Sequence, residues 1–126
     1  MRKIFIVLLM SLVYAIIISP SNAFAAISDG DFLELCKSGT VQEVEAAIKN
    51  GANVNAEDED GWTALMIAAT NNSNPEIISV LLKNDADASL RDVYGVNAAD
   101  YASENDNLKN TEIFQQLLAA SHVEPE

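Results

Sequence analysis

Four acids stand together at Glu57-Asp58-Glu59-Asp60, closed by Gly61 and followed by Trp62 and Thr63. Carboxylates this dense could hold a hard cation or share a proton for acid–base work. A calcium loop with Gly61 as its sixth residue would need oxygen ligands at Ala56, Asp58 and Asp60 and a glutamate at Ile67. The first and last of these positions are apolar, so that coordination mode fails. With nineteen acids in the chain, chance carboxylate pairs are plentiful and mark no catalytic dyad. The remaining candidate nucleophile and base each stand alone. His122, the only histidine, lies beside Val123-Glu124-Pro125-Glu126 in what reads as a frayed tail, residues 122–126. Cys36, the only cysteine, has no basic neighbour but Lys37 to lower its pKa, and reads as a small buried hydrophobe. There is no glycine-rich phosphate loop. The expectation is a protein that is not an enzyme, with no cofactor and no metal.

The elements that position these residues begin after a leader. Arg2 and Lys3 precede an uncharged apolar stretch from Ile4 to Ile18, Ser19-Pro20 breaks it, and Ala23-Phe24-Ala25 offers small residues at a cleavage site. Residues 1–25 therefore read as a secretory signal peptide cut between Ala25 and Ala26, with cleavage after Ala23 as the alternative. At 15 residues the apolar stretch is shorter than the roughly 20 that a spanning helix needs. The expected location is the periplasm, with release to the medium as the alternative. Without Arg2 and Lys3 the seven basic residues become five against nineteen acids, a net charge near −14. Such a surface repels phosphate backbones and anionic headgroups, which disfavours nucleic acid and membrane partners. One cysteine permits no internal disulfide, so stability must come from packing.

The rest of the chain repeats itself. "NGANVNAEDEDG" (Asn50–Gly61) aligns with "NDADASLRDVYG" (Asn84–Gly95) at an offset of 34 residues, and "EVEAAIKNGA" aligns with "IISVLLKNDA" before it. Such a period marks stacked units that bury their faces on one another. Thr40 with Glu43 forms a capping box for a helix carrying Val41, Val44, Ala47 and Ile48. Asn74 caps, and Pro75 opens, a helix carrying Ile77, Ile78, Leu81 and Leu82. Asn110 is expected to cap a third, with Ile113, Phe114, Leu117 and Leu118. Gly51 and its counterpart Asp85 sit where each chain leaves its helix through a left-handed residue, at a small cost for the aspartate. A shorter helix precedes each: about Asp29–Lys37, Thr63–Asn71 and Asn97–Glu104. Ala64, Ala68 and Ala69, then Ala98, Ala99 and Ala102, allow close helix approach.

"DGWTALMIAA", "VQEVEAAIKNGANVNA" and "IISVLLKNDADASLRDVYG" resemble ankyrin repeats. The resemblance runs from about Asp29 to about Ser121. It implies an all-α fold: a short solenoid of about three helix–turn–helix units joined by β-turn fingers, over residues 26–121, with units near 29–60, 61–94 and 95–121. Ala64 replaces the motif proline, and Met66 and Asp100 replace its histidine. The loop Glu104–Thr111 is about three residues long in excess, so the third unit is the least regular. Glu43 and Gln116, where the central unit carries Ile77 and Val80, suit polar outer faces.

Ankyrin-type proteins generally bind partners through turn tips and the exposed side of the short helices. Carried onto this chain, the implied contact residues are Glu59, Asp60, Trp62, Thr70 and Asn71, then Val93, Tyr94, Val96, Glu104 and Asn105. Aromatics among acids suit a protein partner whose apolar patch is rimmed by basic residues. The implied function is a monomeric, non-catalytic binding module in the bacterial envelope, an accessory or stabilising factor for an envelope enzyme. The alternatives are an immunity protein or inhibitor that neutralises a toxic enzyme, and a secreted host-directed effector. If Trp62 only binds, its removal leaves the melting temperature nearly unchanged; if it packs, stability falls.

Overall fold

The structure is a computed structural model that describes residues 27–71 and 74–122. The leader with its Ala25/Ala26 junction, two residues of the loop before Pro75 and tail residues 123–126 lie outside the described residues. Among the described residues six helices follow in order: α1 (Asp29–Ser38), α2 (Val41–Lys49), α3 (Ala64–Thr70), α4 (Glu76–Lys83), α5 (Ala98–Glu104) and α6 (Glu112–Ser121). They pair as α1·α2, α3·α4 and α5·α6. The first members stack into one row, α1 on α3 on α5, and the second members into another, α2 on α4 on α6. Among the described residues, strand-like pairing is confined to an isolated antiparallel bridge, Glu57 with Thr63.

The caps show why the helices start where they do. Ser28, Thr40, Thr63 and Asn97 each sit in extended backbone and accept the N–H three residues on. Thr40 and Glu43 close a full capping box, in which Glu43 Oε2 accepts the Thr40 N–H at 2.8 Å. Asp100 answers Asn97 in the same way at 3.1 Å. Met66 offers its sulfur to the Thr63 N–H at 3.5 Å. Both replacements of the motif histidine thus turn back onto the cap. At α4, Pro75 already has helical dihedrals (φ −64°, ψ −19°), and the Asn74 side-chain oxygen accepts the Glu76 N–H at 3.2 Å. The third unit differs from expectation: the cap of α6 is Thr111, not Asn110, with its hydroxyl accepting from Phe114 N at 3.2 Å. Asn110 is still inside the turn that precedes it.

The helix exits use positive φ at Gly51 (95°) and Asp85 (63°). The core runs the length of the stack through Phe32, Val44, Leu65, Met66, Ile78, Leu81 and Leu117. Ala64, Ala68, Ala69, Ala98, Ala99 and Ala102 are all buried where α1, α3 and α5 meet. Ile48, Leu82 and Phe114, expected in the core, pack against it half-buried. Phe114 and Ile48 belong to the last and first described units, each of which packs on one described neighbour. Cys36 is buried, and desolvation pushes its thiol up to about 12. Leu108, in the long irregular loop, is a core residue at 2 % exposure.

Candidate protein-binding face

Each finger is built around one aspartate. Asp58 Oδ1 accepts the N–H groups of Asp60 and Trp62, both at 2.9 Å. Its counterpart 34 residues on, Asp92, accepts those of Tyr94 and Val96 at 2.9 and 3.0 Å. Glycine then supplies the left-handed residue, Gly61 at φ 77° and Gly95 at φ 78°. The acid run is therefore a turn: Asp58 organises it and the other carboxylates lie in solvent. Among the described residues no group of three His, Cys, Asp or Glu is placed to hold a metal. The two fingers touch, Val93 N–H donating to Asp60 O at 3.0 Å. A Cβ on Gly61 would come within 3.2 Å of Asp92 Cα.

Trp62 is half-buried and leans on Tyr101 of α5, with ring centroids 4.7 Å apart and planes tilted by 41°. Tyr101 in turn donates its hydroxyl to Asp92 Oδ2 at 2.5 Å. That bond, chiefly, raises the phenol to about 12 and lowers Asp92 below the ordinary carboxylate value. The pair thus ties the second finger to the helix behind it. Tyr101 stands where the preceding unit has Ile67, so the repeat pattern gives no sign of this role.

Two hollows flank the aromatic pair. One, of about 480 Å³, opens between α1 and α3, with Leu33, Trp62 and Ile67 as its apolar wall and Glu34, Lys37 and Asp58 at its rim. The other, beside Tyr101, is bounded by Thr70, Glu104, Asn105, Asp106 and Asn107. Asn71 and Asn105, the residues that end α3 and α5, reach back one unit. The Asn71 side-chain amide donates to Lys37 O, and that of Asn105 donates to Ala69 O at 2.9 Å. They satisfy carbonyls that a helix end leaves unpaired.

The structure therefore divides the ten expected contact residues into groups. Trp62, Thr70 and Asn71 share the first hollow, and Thr70, Glu104 and Asn105 share the second. Glu59 and Asp60 are exposed on the first fingertip, and Val93 and Tyr94 on the second, at 64 % and 77 % exposure. Val96 is half-buried and serves its own turn, its carbonyl accepting the Asp92 N–H at 3.0 Å. Leu33 and Tyr101 belong to this face and went unmarked in the sequence.

This stack of paired helices with aspartate-built fingers agrees with a family match. A family model described as ankyrin repeats (3 copies) covers residues 32–126. The chain belongs to the ankyrin-repeat family. Human mitochondrial disaggregase is 45 % identical to it over 74 residues, which make up 59 % of this chain and 10 % of that protein. Protein fem-1 homolog C from Bos taurus is 34 % identical over 76 residues, 60 % of this chain and 12 % of the relative. Potassium channel AKT2/3 from Arabidopsis thaliana is 41 % identical over 69 residues, 51 % of this chain and 8 % of the channel. The chain thus spans about a tenth of the length of the curated relatives it matches. No helix among the described residues is long and apolar enough to cross a membrane.

Proposed function

We propose that this chain, whose ankyrin repeats make it a protein–protein interaction module, is a non-catalytic binder that docks a single partner protein through the Val93–Tyr94 fingertip and the hollows on either side of the Trp62–Tyr101 pair. One observation carries the reading: Val93 and Tyr94 are the two exposed large hydrophobics of the described chain, adjacent on one tip. Two backbone bonds to Asp92 and one to the first finger hold that tip in place, so docking orders little. A partner with an apolar patch ringed by basic residues complements it, because Glu59 and Asp60 stand on the neighbouring tip.

The leader, read as a signal peptide, supports export, and the role we favour is an accessory or stabilising factor for an envelope enzyme. The test is capture of the full-length chain, tagged at its C terminus, from fractionated cells of its own organism. Recovery of a processed form in the periplasm with one retained enzyme supports the reading. Recovery in the cytoplasm overturns the location, and a toxic enzyme as the retained protein overturns the accessory role in favour of inhibition.

A further inference from the structure

The hollow between α1 and α3 has a shape and a charge that select among partner segments. Its wall is aromatic and aliphatic, from Trp62, Leu33 and Ile67, and its rim carries Glu34 and Asp58 against the single cation Lys37. The Lys37 ammonium pairs with Glu34 at 3.7 Å across one helical turn, with both side chains more than 60 % exposed. An exposed pair of this kind contributes little and exchanges readily. Asp58 is fixed by two backbone N–H groups on one oxygen, while a carboxylate has roughly four acceptor positions. Trp62 packs on Tyr101 and lines the hollow, so that contact supports its ring there.

A planar cation beside an indole with carboxylates at the edge satisfies all of these features together. We propose that this hollow takes an arginine-bearing extended segment of the partner protein, its guanidinium beside Trp62 and between Glu34 and Asp58. The proposal rests on the chain being a protein-binding module and names what its groove reads. Arginine fits better than lysine because the guanidinium is flat, more weakly hydrated and able to meet two carboxylates at once. The charge of the whole chain, −12, draws such a segment in.

Trp62 is the only tryptophan, so its fluorescence reports the hollow directly. The experiment titrates the purified chain with acetyl-Ala-Leu-Arg-Leu-Ala-amide and with the same peptide carrying norleucine in place of arginine. The arginine peptide should shift Trp62 emission saturably and bind about fivefold or more tightly than the norleucine peptide. Glu34→Gln should weaken the arginine peptide and leave the norleucine peptide unchanged. Equal binding of the two peptides, an unaffected Glu34→Gln variant, or no saturable response to millimolar peptide each overturns the proposal. If a captured partner is nonetheless lost on Tyr94→Ala, the groove inference alone falls. If that variant also retains everything the parent retains, the binding-module reading falls with it.

Discussion

Tyr101 of α5 donates its hydroxyl to Asp92 at 2.5 Å while its ring supports Trp62, so one side chain anchors the second finger and braces the aromatic of the first. Removing that hydroxyl by Tyr101→Phe leaves Asp92 with its backbone donors alone. The ring contact survives, so Trp62 emission should stay close to that of the parent. Tm should fall by about 5 °C, the response of a small domain to one lost hydrogen bond.

The same pair shapes the pH dependence. The Tyr101 hydrogen bond holds Asp92 below its ordinary value of 3.8, so its contribution is full above that value and is lost as pH falls through the depressed folded pKa. Tyr101 is raised from 10.0 to about 12, so its contribution is full below pH 10 and is lost as pH rises toward 12. Thermal melts should show this pair contributing constantly across the middle range. Tyr101→Phe should reduce the fall in Tm at both extremes; an unchanged alkaline limb would show that the bond does not form.

The left-handed positions should respond unequally. Gly95→Ala places its methyl in open space and meets only the cost of positive φ, about 1 kcal/mol. Gly61→Ala adds a contact with the backbone of the second finger and should cost about 2–3 kcal/mol. At Asp85, φ 63° and a position at the end of α4 both disfavour an acid. Asp85→Gly should stabilise by about 0.5–1 kcal/mol. Urea unfolding of the three variants decides the ranking.

Trp62 and Tyr94 separate packing from display. Trp62→Ala empties a half-buried site against Tyr101 and should cost about 2 kcal/mol. Tyr94→Ala, at 77 % exposure, should stay within about 0.5 kcal/mol of the parent. Asn105→Ala removes the amide that bonds Ala69 O and should cost about 1–2 kcal/mol. Equal stability of all three would contradict the packing described here.

What the sequence revealed depended on repetition. The 34-residue offset was visible because the turn glycines Gly61 and Gly95 and the helix exits Gly51 and Asp85 recur with it. The helix starts and the buried alanines followed from that phase. Tyr101 was not legible, because its two partners lie 9 and 39 residues away and Ile67 occupies its place in the preceding unit. The cap of α6 was misplaced by one residue for a related reason. Leu108 plugs into the core from a loop with no counterpart, and its carbonyl accepts the Thr111 N–H at 2.8 Å. That turn uses up Asn110 and hands the cap to Thr111. Likewise, Asn71 and Asn105 looked like contact residues because they end the short helices on the open face. Their amides are already engaged across units.

The central claim is that a rigid, exposed fingertip docks a protein. Its most direct test is the affinity of the captured partner for the parent chain and for Tyr94→Ala, measured by calorimetry on proteins of matched Tm. The account predicts at least about a tenfold loss, as for an aromatic that anchors an interface. Equal affinity at equal Tm would contradict it and move the contact surface away from the fingertip.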